Sequence, residues 1–231
     1  MPLMISSLAA ILVAYLMGSL SFAVIVSRAM GLSDPRSFGS RNPGATNVLR
    51  SGNRLAAVLT LALDALKGYL PVMLALWLAP RFGLGEWAIA GVGLAAFLGH
   101  LWPVFFRFHG GKGVATAAGV LMALNPWVGL AALLSWALIA AFFRYSSLAS
   151  LVAALFAPFF QALIWGASPL LWAMLAMSAL LVWRHAGNIR KLMAGTESKL
   201  AQADPGPASL ASSQRVRKPS LKPSSKSKGN H

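Results

Sequence analysis

Apolar runs of membrane-spanning length alternate along this chain with short polar connections rich in glycine, asparagine and arginine. Leu3 to Val26, Leu55 to Ala79 and Trp87 to Phe106 are the first three runs, each long enough to cross a hydrocarbon core of about 30 Å as a helix. Val114 to Leu124 rises only about 17 Å and falls short of that thickness. Asn125-Pro126 follows it. The residue before a proline avoids helical geometry and proline suits a first helical turn, so the run divides there and Trp127 to Phe143 becomes a fifth helix. Leu148 to Trp165 and Leu170 to Trp183 are the sixth and seventh, parted by the turn-like Gly166-Ala167-Ser168-Pro169. The pattern predicts an all-α membrane protein, a bundle of seven transmembrane helices. The first run is too long and too weakly preceded by charge for a cleaved signal peptide, so it is expected to stay in the mature protein.

Composition agrees with the pattern. Of 231 residues, 57% are hydrophobic and 11% charged, against roughly a quarter charged in soluble domains. There is no cysteine, which excludes disulfides, thiolate metal sites and thiol nucleophiles. The five acidic residues, Asp34, Asp64, Glu86, Glu197 and Asp204, are too scattered for a magnesium or calcium site, so no metal or other cofactor is expected. The net charge of +15 does not point to nucleic acid. Six of the twenty lysines and arginines fall in the tail and most of the others flank apolar runs, which suits anionic headgroups instead.

Charge also sets the expected orientation. Seven spans put Arg28, Arg36, Arg41, Arg50, Arg54, Arg107, Lys112, Arg144, Arg184, Arg190, Lys191 and Lys199 on one side and Arg81 on the other. The positive-inside rule makes the crowded side cytoplasmic, with the N-terminus outside and the C-terminus inside. The short fourth helix then begins, at Gly113, roughly 10 Å below the cytoplasmic surface. Residues 1–200 form one membrane domain, and 201–231, rich in Pro, Ser and Lys, a disordered basic cytoplasmic tail.

Three donor-rich segments fall on the cationic side. The first holds Ser40, Asn42, Gly44, Thr46 and Asn47, with Arg50 able to grip phosphate oxygens bidentately. The second is His109-Gly110-Gly111-Lys112-Gly113, whose glycines permit positive dihedral angles that let consecutive N–H groups converge on an oxyanion, with Lys112 adding a charge. It lacks the spacing of a nucleotide P-loop, so ATP is not implied. The third is Arg184, His185 and Asn188, the last two on one face if the helix continues, with Ser146 and Ser147 at the same end. His185 has the ordinary titration range of a general base. Asp64 and Lys67, spaced i to i+3 within a span, are expected to neutralise one another, and His100 to be a packing residue. The rival reading is a transporter or channel for a phosphorylated solute, although the polar residues gather at one face and no internal repeat is visible.

Four stretches, Gly39 through Arg50, Gly99 through Phe105, Phe108 through Thr116, and Arg184-His185 through Asn188 to Glu197, together resemble the bacterial acyl-phosphate:glycerol-3-phosphate acyltransferases, the PlsY family, over nearly all of residues 3–200. His109 stands where the family more usually has lysine. The resemblance implies transfer of a fatty acyl group from acyl phosphate to the sn-1 hydroxyl of glycerol 3-phosphate in the bacterial inner membrane, giving lysophosphatidic acid and inorganic phosphate. It implies glycerol-3-phosphate contacts at Ser40, Arg50, Lys112 and Asn188, and groups around the acyl phosphate at Thr46, Ser147 and His185. His185 and the substrate's own phosphate are the two available bases. The implied partners are the two substrates, membrane lipid and the enzyme that makes the acyl phosphate. A different glycerolipid acyltransferase class pairs His with Asp five positions later, and here Phe105, Val114 and Arg190 stand five beyond His100, His109 and His185.

Overall fold

A computed structural model describes residues 2–200, and every regular element in them is helical. The basic tail read at 201–231 lies outside the described residues. In chain order the helices are α1 (Pro2–Gly18), α2 (Phe22–Ala29), α3 (Ala45–Leu49), α4 (Arg54–Phe82) and α5 (Glu86–Leu101), followed by a 3-10 turn (Val104–Phe106). After it come α6 (Val114–Leu124), α7 (Pro126–Phe143), α8 (Ser146–Trp165), α9 (Pro169–Arg184) and α10 (Ala186–Met193).

Local chemistry sets the boundaries. The Asn125 side chain accepts from the Trp127 and Val128 N–H groups with Pro126 at the first helical position, so the division of the long apolar stretch falls where the sequence places it. Asn53 opens α4 by accepting from Ala56 N, and Ser168 with Pro169 opens α9. Gly83 ends α4 in the left-handed region.

One span differs from expectation. The run Leu3–Val26 is not one straight helix: α1 and α2 meet at 41° across residues 19–21. The seventh run ends at Arg184, within a residue of the Trp183 end read from sequence, and α9 and α10 then meet at 56°. Four helices are individually long and apolar enough to cross a bilayer, or up to six if each bent pair counts as one span. The apolar α6 is shorter and packs mainly against α4 and α7.

Close backbone approach holds the bundle together. A Cβ on Gly68 would strike the Thr116 carbonyl, and one on Gly119 the Ala65 carbonyl, so these two glycines let α4 and α6 touch along their backbones. Gly18 and Gly99 do the same for α1 and α5. Lipid offers no hydrophobic drive for helix association, and small residues that admit such contact are how membrane helices gain packing energy. Large side chains point outward instead: Trp77, Phe142 and Leu163 are exposed, while alanines fill much of the interior.

Candidate active site

The first loop is built around Asn47, which is buried. Its amide nitrogen donates to the Pro35 carbonyl at 2.6 Å and the Phe38 carbonyl at 3.2 Å, and its oxygen accepts from Ser40 N at 3.0 Å. Both amide donors therefore close the loop on itself, and Asn47 acts as its brace. The folded loop presents Ser40, Asn42, Gly44, Thr46 and Arg50 to a cavity, with Thr46 on α3 and Arg50 one turn on at its C-terminal cap. The Thr46 hydroxyl also meets that of Ser146 at 3.2 Å, tying the loop to the start of α8.

The glycine segment works by a different device than its sequence suggests. Only Gly113 takes a positive φ, 83°, at the entry to α6, and Gly110 and Gly111 do not. Those two are glycine for space. A Cβ on Gly111 would stand 2.8 Å from the Pro43 carbonyl oxygen and closer still to His100 Nε2, and one on Gly110 would strike the His100 and Leu101 carbonyls. The Gly111 N–H is engaged by the His100 carbonyl at 3.2 Å, so it is not aimed at an oxyanion. From the other side, Arg184 donates to the Gly110 carbonyl at 2.9 Å and to the Gly111 carbonyl at 3.0 and 3.1 Å. Gripped from both sides, the turn projects Lys112 into the cavity and starts α6 there, with Gly113, Val114 and Ala115 on the wall.

Beneath the turn lies a polar cluster within the bundle. Lys67 Nζ is 2.9 Å from Asp64 Oδ1, the neutralising pair expected from their spacing, and it donates to the Leu20 carbonyl at 2.6 Å, which the break between α1 and α2 has freed. His100 Nδ1 lies 3.7 Å from Asp64 Oδ1 and 3.2 Å from the Thr116 hydroxyl. His100 is therefore the floor of the glycine turn, where the sequence suggested a packing residue. All four side chains are buried, and groups so costly inside a membrane are retained by pairing with one another.

His185 and Asn188 do not share a continuing helix, yet the bend after Arg184 brings both to the cavity. His185 Nδ1 is 2.8 Å from the Leu181 carbonyl, which fixes the hydrogen on Nδ1 and leaves the Nε2 lone pair free to accept. Lys112 Nζ donates to Asn188 Oδ1, and Asn188 Nδ2 donates to Glu197 Oε1 at 2.6 Å. The same carboxylate oxygen accepts from the Ser147 hydroxyl at 2.7 Å. Glu197 reaches this position because the chain turns back over the cavity, where Leu200 N donates to the Arg144 carbonyl at 2.6 Å. Sequence reasoning did not place Glu197 in the site. The available signal was its rarity, since Glu197 and Asp204 are the two carboxylates that follow Glu86 in a strongly cationic stretch of sequence. Burial lowers Lys112 to about 8, against a smaller opposing pull from Glu197.

These parts enclose one cavity of about 290 Å³. It gathers Ser40, Asn42, Gly44, Thr46, Asn47 and Arg50 from the first segment, Lys112 and Gly113 from the second, and His185, Asn188 and Ser147 from the last helices. Gly110 and Gly111 support its wall from behind. The opposite half is apolar, formed by Leu61, Leu121, Leu133, Trp136 and Leu181. A cationic, hydroxyl-rich end joined to an apolar trough suits a phosphorylated polar molecule beside an acyl chain.

Comparison with known proteins gives the same picture. The family profile described as glycerol-3-phosphate acyltransferase matches residues 8–195. Proteins named glycerol-3-phosphate acyltransferase from Burkholderia ambifaria and Burkholderia multivorans are each 66% identical over 195 residues, covering 84% of this chain and 90% of theirs. Two crystal structures of PlsY, an integral membrane glycerol 3-phosphate acyltransferase, are 40% identical to this chain. The glycerol 3-phosphate form matches with a TM-score of 0.79 over 84% of this chain and 96% of that one. The lysophosphatidic acid form matches at 0.77, over 84% and 95%.

Proposed function

The chain belongs to the glycerol-3-phosphate acyltransferase (PlsY) family, a multi-pass membrane enzyme, and from that premise we propose that its acyl donor is an acyl phosphate and its acceptor the sn-1 hydroxyl of glycerol 3-phosphate. The products are lysophosphatidic acid and inorganic phosphate. The observation carrying this reading is the two-sided cavity, cationic around Arg50 and Lys112 and apolar along Leu121, Leu133 and Trp136.

In this reading Ser40, Arg50, Lys112 and Asn188 hold the phosphate of glycerol 3-phosphate, and Thr46, Ser147 and His185 surround the acyl phosphate. The acyl chain lies in the apolar trough. The sn-1 oxygen attacks the acyl carbon, the new ester C–O bond forms, and the C–O bond to phosphate breaks with its electron pair leaving on phosphate. The hydroxyl proton passes to His185 Nε2 or to a phosphate oxygen, and a mixed anhydride is activated enough that no acyl-enzyme intermediate is needed. The protein's contribution is positioning and stabilisation of developing negative charge by Lys112, Asn188 and the start of α6. Glu197 holds the Ser147 and Asn188 side chains at the spacing the substrates meet.

The cavity is lined by Arg50 and Lys112 from the basic connections, and by the positive-inside rule this supports a cytoplasmic site in the bacterial inner membrane; in this reading the short α6 counts as a seventh span, with the N-terminus outside and the C-terminus inside. An acyl phosphate made by a separate cytoplasmic enzyme then arrives on the same side. Purified protein supplied with palmitoyl phosphate is expected to release phosphate only when glycerol 3-phosphate is present, without added divalent cation, and to yield the sn-1 isomer. Palmitoyl-CoA and palmitoyl-acyl carrier protein are expected to give no product. Turnover from either thioester at a rate matching the acyl phosphate overturns the donor assignment.

A further inference from the structure

On the far side of the glycine turn lies a second cleft that shares no lining residue with the substrate cavity. Arg36, Arg41, Arg107, His109 and Arg184 line it together with Phe108. Asp34 neutralises Arg36 through a 2.6 Å ion pair, and Arg184 is fixed by the Gly110 and Gly111 carbonyls. Among the described residues Arg41 and Arg107 have no carboxylate partner, so three guanidinium charges converge without a counter-ion. The His109 ring is held by its Nδ1, 2.7 Å from the Arg107 carbonyl.

Two further observations single out this cleft. Four non-glycine residues among those described adopt positive φ, and three of them line it: Arg41 at 55°, Arg107 at 54° and Phe108 at 60°. That backbone is disfavoured for L residues, and its concentration around one concavity marks a place where side-chain direction overrides local preference. Apolar side chains also project next to the arginines, with Val104 38%, Phe105 58% and Phe108 56% exposed. Cations in a recess beside exposed aromatic side chains is the arrangement that meets a headgroup and the start of its chains at a bilayer surface.

We propose that this cleft is a second phosphate site, separate from the substrate cavity, in which Arg41 and Arg107 with Arg184 behind them hold the phosphate of an anionic lipid headgroup. The same guanidinium fork accepts free inorganic phosphate, so the ligand chemistry is a phosphate oxyanion from either source. The site does not depend on the acyl-transfer assignment.

The test uses full-length protein in nanodiscs of phosphatidylcholine containing a minor fraction of phosphatidic acid, in the K112A background so that the substrate cavity does not compete. Lipid retained through detergent transfer is counted by native mass spectrometry. Arg41 and Arg107 both take backbone angles that suit glycine, so R41G/R107G removes the charges without strain, and thermal unfolding checks that it folds. The expected result is a loss of phosphatidic acid affinity of about tenfold or more in R41G/R107G, with R41K/R107K intermediate. Displacement of the lipid by millimolar inorganic phosphate, itself lost in R41G/R107G, assigns the site to free phosphate, and failure to displace assigns it to lipid. Equal retention by the parent and R41G/R107G, or no retention of phosphatidic acid and no phosphate binding in the parent, overturns the proposal.

Discussion

Substituting Gly111 by alanine tests how the phosphate-facing turn is held. The added Cβ would lie 2.8 Å from the Pro43 carbonyl oxygen and nearer still to His100 Nε2, where an ordinary carbon contact needs more than 3.4 Å. Neither neighbour yields easily. Pro43 belongs to the loop braced by Asn47, and His100 is packed against Asp64 and Thr116. The turn itself must therefore lift by about 1 Å, which draws its carbonyls away from Arg184 and shifts Lys112 from Asn188. A displacement of that size at a positioning group is worth about 100-fold in rate. G111A is expected to lower kcat/KM for glycerol 3-phosphate by about 100-fold, mostly through KM, in a phosphate-release assay with palmitoyl phosphate. H100A removes the nearer obstacle, so G111A/H100A is expected to recover part of the loss relative to the two single variants. A G111A enzyme with near-native KM, or a double variant whose losses simply add, refutes the argument that the turn rests on His100.

Lys112 is lowered to about 8 by burial, so it is charged below that pH and neutral above it. The expected consequence is a fall in kcat/KM for glycerol 3-phosphate as pH rises through about 8, and K112R, which keeps its charge, is expected to lose that limb. Glu197 pulls the Lys112 pKa upward, so E197Q is expected to move the same limb to lower pH, read from the full pH–rate profile. K67M leaves Asp64 unpaired inside the bundle and is expected to destabilise it by about 3–5 kcal/mol, while K67M/D64N is milder, as thermal unfolding in detergent will report.

The main helical segments were legible because most of the apolar runs are long, and because Asn125-Pro126 is local chemistry that stops and restarts a helix without tertiary help. The break at residues 19–21 was not, since Gly18-Ser19-Leu20-Ser21 contains no proline and sits in a continuous apolar stretch. It depends on the approach of Gly18 to α5 and on Lys67 receiving the freed Leu20 carbonyl, both long-range contacts. The three donor-rich segments were marked out by their basic and amide side chains, and the cavity brings Arg50, Lys112 and Asn188 together. The division of labour within them was not legible. Glycine-rich sequence suggests freedom of φ, whereas Gly110 and Gly111 serve close packing on His100. Asn47 reads as a ligand donor but folds inward to the Pro35 and Phe38 carbonyls, because no pattern in sequence reveals which way a loop amide turns. Glu197 enters the site only because the chain doubles back at Leu200, a contact between segments far apart in sequence.

The central claim is that segments from three distant parts of the chain form one phosphate-binding end of an acyl-transfer cavity. An experimental structure with glycerol 3-phosphate bound tests it most directly. The account predicts the ligand's phosphorus between Arg50 and Lys112, with Ser40 and Asn188 in contact and the sn-1 hydroxyl toward His185. Glycerol 3-phosphate bound instead behind the glycine turn, against Arg41 and Arg107, with Lys112 still held by Asn188 alone, contradicts it.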